Sequence, residues 1–149
     1  MISFLLFVFF LLNQSFANEN IHLTKNNVVV IKDTIDDQSV SQVIYKLNKM
    51  KNKSDVFIYL DTPGGSVESG NRLLMEIQKY NLSCIADRAY SMGFVLLQGC
   101  KTRYIRQYGR IMQHQISYGV KGEKGKIDSY QQFIHQLEDD LVTIQANRV

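Results

Sequence analysis

Val56-Phe57-Ile58-Tyr59-Leu60-Asp61-Thr62-Pro63-Gly64-Gly65-Ser66-Val67 is the stretch that decides the fold. An apolar run of strand length stops at a Pro-Gly-Gly turn. Val67, Leu73, Leu74, Ile77 and Tyr80 then recur at helical spacing. The unit is strand, tight turn, helix. The same order appears on either side of it. Residues 28–32 are a β-branched run read as a buried strand, and Val40, Val43, Ile44, Leu47 and Met50 follow on one stripe of a helix that starts near Asp36. Residues 82–86 read as a third strand and residues 92–100 as a short, very apolar helix. Strands alternating with helices imply an α/β fold whose repeated β-α units build a parallel sheet with right-handed crossovers.

The remainder is less regular. Residues 102–105 and 110–113 read as two short strands around a Tyr-Gly turn, and residues 118–126, with three glycines, as a mobile loop. Residues 127–148 read as a long helix with Ile127, Tyr130, Phe133, Ile134, Leu137, Leu141 and Ile144 on one stripe, suited either to the core or to an assembly surface. No repeat or low-complexity tract divides the chain.

Three segments carry chemistry. Ser91 lies in Asp87-Arg88-Ala89-Tyr90-Ser91-Met92-Gly93-Phe94, behind a strand and at the head of a helix. A serine there is either an N-cap or a nucleophile lifted clear of its neighbours, with the free amides of a first helical turn beside it. The Pro63-Gly64-Gly65 turn can aim a backbone N–H at a point no side chain obstructs. His114, closing the run Ile111-Met112-Gln113, can serve as general base; a structural or surface histidine is the alternative. All three fall at carboxyl ends of strands, where ligands gather in open α/β sheets.

These elements resemble the proteolytic subunit of the Clp protease and its relatives in the signal peptide peptidase A group, within the wider crotonase-like fold. The matching stretches are Ile58-Tyr59-Leu60-Asp61-Thr62-Pro63-Gly64-Gly65-Ser66-Val67, Ala89-Tyr90-Ser91-Met92-Gly93 and Met112-Gln113-His114-Gln115. The resemblance implies a serine endopeptidase. Ser91 matches the nucleophile and His114 the general base, while Gly65 and Met92 match the residues whose backbone N–H groups form the oxyanion hole. Ser117, Tyr118 and Gly119 open the segment where the family binds an extended peptide strand. It also implies a peptide or protein substrate, homo-oligomeric assembly and no metal or organic cofactor. The family's acidic triad member lies beyond a further helix. Asp128, Asp139 and Asp140 match no motif position, so the domain over residues 18–149 reads as truncated at its C-terminus or impaired. The alternatives are a non-catalytic assembly or binding subunit and a crotonase-type acyl-CoA enzyme.

Composition narrows the setting. A net charge of +3, with no base-reading motif in the basic run from Lys101 to Lys126, argues against nucleic acid; the run reads as solvated loop and strand-edge charge, with contact to a membrane surface or an acidic partner as the lesser reading. The apolar run from Ile2 to Leu12 followed by Ser15-Phe16-Ala17 reads as a signal peptide over residues 1–17, hence a secreted or exported protein; an uncleaved anchor is the alternative. The ring-shaped ATPase of the family's cytosolic members is not expected outside the cytosol. In an oxidising compartment Cys84 and Cys100, at opposite ends of a strand and the helix returning along it, are candidates for a disulfide; two buried thiols are the alternative.

Overall fold

The computed structural model describes residues 21–117 and 123–146. The segment assigned to a signal peptide, the candidate binding residues Tyr118 and Gly119, and residues 147 and 148, expected to be helical, lie outside them. The elements run β1 (Val28–Lys32), α1 (Asp37–Lys49), β2 (Phe57–Thr62), α2 (Val67–Lys79), β3 (Ser83–Tyr90), α3 (Met92–Gly99), β4 (Arg103–Met112) and α4 (Lys124–Ala146). The four strands form one sheet in the order β1-β2-β3-β4, every neighbouring pair parallel. No helix among the described residues is long and apolar enough to cross a membrane.

The alternation along each strand explains the layering. Val29, Ile31, Ile58, Leu60, Cys84, Ala86 and Ala89 are buried, and Val40, Val43, Leu47, Leu73, Leu74 and Ile77 from α1 and α2 join them in one core. The opposite face of the sheet keeps Val30 exposed and Tyr59 half-buried, with the rings of Phe57 and Tyr104 packed 6.1 Å apart. Helix α3 is apolar on nearly every side because it is buried on nearly every side, with Met92, Val95, Leu96 and Leu97 all enclosed. Helix α1 begins on a reciprocal cap: the Asp36 carboxylate accepts from the Ser39 N–H and the Ser39 hydroxyl accepts from the Asp36 N–H. The Ser39 hydrogen bonds hold the Asp36 carboxyl below its usual range.

Three expectations change. The pair of short strands around a Tyr-Gly turn is one strand, β4, parallel to β3 throughout. Ala86 pairs with Ile105 and Arg88 with Arg110, so Asp87 alone stands opposite residues 106–109. Tyr108 and Gly109 therefore make a bulge and not a reversal. Arg106 from this bulge donates to the Tyr59 hydroxyl at 2.9 Å and lies 3.8 Å from the Asp87 carboxylate. β3 is also longer than expected. Asp87 is an extra residue relative to β2 as well, after which the strand resumes pairing up to Ala89 on that side and Tyr90 on the other. The last helix begins at Lys124, inside the segment read as loop. Of its apolar stripe, Ile134 and Leu141 are buried, whereas Tyr130 and Phe133 are exposed.

Candidate active site

Ser91 follows β3 directly and precedes α3, and its backbone is unusual. With φ 53° and ψ −119° it adopts a conformation that favours glycine. Its N–H donates to the Met112 carbonyl at 2.8 Å, tying the turn to the end of β4. Its carbonyl accepts from the Phe94 and Val95 N–H groups, at 2.9 and 3.3 Å. The side chain makes no capping hydrogen bond, so the N-cap reading does not account for the hydroxyl. Helical geometry leaves the Met92 and Gly93 amides without intrahelical acceptors. The Met92 side chain is buried against Gly70 of α2, which anchors the first turn of α3 from behind.

The Pro-Gly-Gly turn abuts this turn. A Cβ on Gly64 would stand 2.7 Å from both the Ser91 Cβ and the Tyr90 carbonyl oxygen, and Gly64 has φ +95°. Only glycine admits that approach. Gly65, at φ +151°, bridges in parallel to Ile35. The Ile35 N–H donates to the Gly64 carbonyl at 2.9 Å and the Ser66 N–H donates to the Ile35 carbonyl at 2.8 Å. That pairing uses the groups flanking Gly65 and turns the Gly65 N–H away from Ile35. Helix α2 starts at the same place, with the Ser66 hydroxyl accepting from the Ser69 N–H at 3.2 Å.

Gly65, Ser91, Met92 and His114 line one cavity of about 280 Å³, with Ser117 at its rim. The five candidates from three separate segments thus meet at the carboxyl ends of the strands. Val67, Val95, Ile116 and Leu141 supply an apolar wall, so α2, α3 and α4 all contribute to the enclosure. The His114 ring is exposed, with Nδ1 2.5 Å from the Gln115 carbonyl oxygen. A carbonyl only accepts, so this contact is a hydrogen bond in the tautomer that carries its proton on Nδ1, and that tautomer has Nε2 as its acceptor. Asp128, Asp139 and Asp140 are exposed on α4 and none lines the cavity; Asp140 accepts from Gln136 at 3.2 Å.

Two supports frame the site. Arg88 reaches Asp61 at 3.0 Å, joining the ends of β2 and β3 just before their functional turns. Cys84 and Cys100 are joined as a disulfide across a sequence separation of 16, with Cα atoms 5.8 Å apart. The bridge ties the start of β3 to the end of α3 and encloses the Ser91 turn in a covalent loop. A loop of this length constrains the unfolded chain by about 3 kcal/mol. The pair Cys84→Ala with Cys100→Ala is expected to lower unfolding free energy by about that amount, read from denaturant titration at constant slope. A change under about 0.5 kcal/mol would show that the bridge is dispensable.

The family model for Clp protease matches residues 13–149. The chain belongs to the Clp protease family. A relative within it, the ATP-dependent Clp protease proteolytic subunit 1 of Bacillus cereus, is 31% identical over 137 residues, covering 85% of this chain and 69% of that protein. The parallel α/β architecture is the one expected of a Clp protease, and membership supports a peptidase function for the chain. Sequence reasoning missed Thr62 and Ile35, which hold the Pro-Gly-Gly turn, and the place of Leu141 in the cavity lining. A buried β-branched hydroxyl directly before a proline was the available signal for the first. Leu141 was marked only as part of the apolar stripe of the last helix, and nothing local marked Ile35.

Proposed function

We propose that the chain is a serine endopeptidase acting through Ser91 and His114. The observation that carries the proposal is the convergence of Gly65, Ser91, Met92 and His114 on one cavity, with Ser91 in a strained conformation at the head of a buried helix. The Ser91 Oγ attacks the carbonyl carbon of a peptide bond and its proton passes to His114 Nε2. The carbonyl oxygen, now negative, sits between the Gly65 and Met92 N–H groups. The tetrahedral intermediate collapses, the C–N bond breaks, and the proton on Nε2 goes to the departing amine. Water then hydrolyses the acyl ester with His114 again as base. Val67, Met92, Val95, Ile116 and Leu141 favour an apolar side chain beside the scissile bond.

A fluorophosphonate probe tests the reading. One adduct per chain is expected, mapped by mass spectrometry to the peptide that contains Ser91. No adduct, or an adduct elsewhere, overturns it. Among the described residues no carboxylate lines the cavity, and this favours a second reading as an assembly subunit without turnover. The same probe separates the two. Acyl-CoA turnover without peptide cleavage would favour the crotonase-type alternative. We further propose homo-oligomeric assembly through α4, where Phe133 and Val142 are exposed at 57% and 60%. The disulfide also fits export through residues 1–17, since such bridges persist in oxidising compartments.

A further inference from the structure

Thr62 is wholly buried and polar, a combination that requires a reason. Its hydroxyl donates to the Asp33 carbonyl at 2.5 Å and accepts from the Gly64 N–H at 3.0 Å. Asp33 stands where β1 turns toward α1, at φ 66°, and its own N–H returns to the Asp61 carbonyl at 3.0 Å. One hydroxyl therefore couples the β1–α1 connection to the Pro-Gly-Gly turn. The methyl of the same side chain lies under Gly93: a Cβ there would stand 2.6 Å from Thr62 Cγ2. Thr62 thus touches both halves of the anion site, the arm bearing Gly65 and the helical turn bearing Met92. Its partners are backbone groups of rigid elements, so it has no freedom to relax independently.

We infer that Thr62 is a positioning residue that sets the separation between the Gly65 and Met92 amides. Its hydroxyl holds the arm; its methyl only fills the space beneath Gly93. Without the hydroxyl, the Gly64 N–H has no acceptor and the arm is held only by its pairing to Ile35. The inference rests on the peptidase reading, because separation of the amides matters only if both serve one oxyanion.

The test compares Thr62→Val, which keeps the shape and loses both hydrogen bonds, with Thr62→Ser, which keeps the hydroxyl. Phosphonylation of the full chain by a fluorophosphonate is split into its maximal rate and its half-saturating concentration, at a temperature where all proteins are folded. Thr62→Val is expected to lower the maximal rate tenfold or more and leave half-saturation within twofold, because the arm acts on the transition state more than on binding. Thr62→Ser is expected to stay within threefold of the parent. A valine protein within twofold of the parent rate, or a serine protein as slow as valine, overturns the inference. Should the valine protein not fold, Thr62→Ser decides alone, and a tenfold loss overturns. A parent that does not label sinks the peptidase reading and this inference together. A parent that labels beside an equally reactive valine variant sinks only this inference.

Discussion

Ser91→Gly is expected to yield a more stable protein with no peptidase activity. The native backbone at this position has φ 53° and ψ −119°, which an L side chain occupies at a cost of about 1–3 kcal/mol. Glycine removes that cost but widens the unfolded ensemble, which returns part of the gain. No capping hydrogen bond of the side chain is lost in exchange. The balance is a gain of about 1 kcal/mol, read as a raised midpoint in thermal or denaturant unfolding. Hydrolysis should fall by about 10⁶-fold, the scale on which deletion of a serine nucleophile acts when base and oxyanion donors stay in place. Ser91→Ala separates the two effects, since alanine keeps the steric cost and loses the nucleophile. A glycine protein less stable than the alanine protein would show that the backbone here is not strained. Retained hydrolysis in either would remove Ser91 from the chemistry.

Gly64→Ala has the second largest expected effect, and it replaces no group that takes part in the chemistry. The added methyl would meet the Ser91 Cβ and the Tyr90 carbonyl oxygen at 2.7 Å and the Met92 nitrogen at 3.1 Å. Backbone atoms at the junction of β3 and α3 cannot step aside as the end of a flexible side chain could. The positive φ of 95° adds a conformational cost. The arm must withdraw from the Ser91 turn and take the Gly65 N–H with it. Loss of one oxyanion donor costs about 10²–10³ in turnover, so kcat is expected to fall by that factor with KM nearly unchanged. Stability is expected to fall by about 1–3 kcal/mol from strain. An active alanine protein with parental kcat would mean that the arm does not depend on close contact with the Ser91 turn.

Much of this was legible in the residues. The strand runs of β1 and β2 could be read because all-parallel strands concentrate β-branched and apolar residues, and α1 and α2 because their apolar positions keep helical spacing. The segments bearing Gly65, Ser91 and His114 were visible as turns after strands, and family motifs supplied their order. β4 was misread for a physical reason. Tyr108 and Gly109 have the composition of a turn, and composition does not distinguish a reversal from a bulge; the pairing partner on β3 decides. Burial on α4 was equally hidden. Phe133 and Ile134 are adjacent and both apolar, yet only Ile134 meets the core, because the packing angle of the helix selects the face. Thr62 was quoted within the motif but given no role, since its hydroxyl accepts from the nearby Gly64 N–H and donates to the carbonyl of Asp33, 29 positions away.

The unpaired Asp87 has a consequence for how this enzyme family member can change length. Side chains along a strand alternate between two sides, so one additional residue reverses the phase of all that follow. Ala86 and Ala89 both point into the core only because Asp87 intervenes as an odd step. Excising it would leave plain alternation, with Ala86 inward, Arg88 outward and Ala89 inward as they stand now, and would keep Asp61 opposite Arg88 and Thr62 opposite Ala89. Loss of this one codon is therefore compatible with the parity of the strand, whereas a second deletion beyond it would reverse the facing of all that follows. What the single deletion would remove is the Asp87 carboxylate facing Arg106 across the bulge, and with it the added local twist of β3.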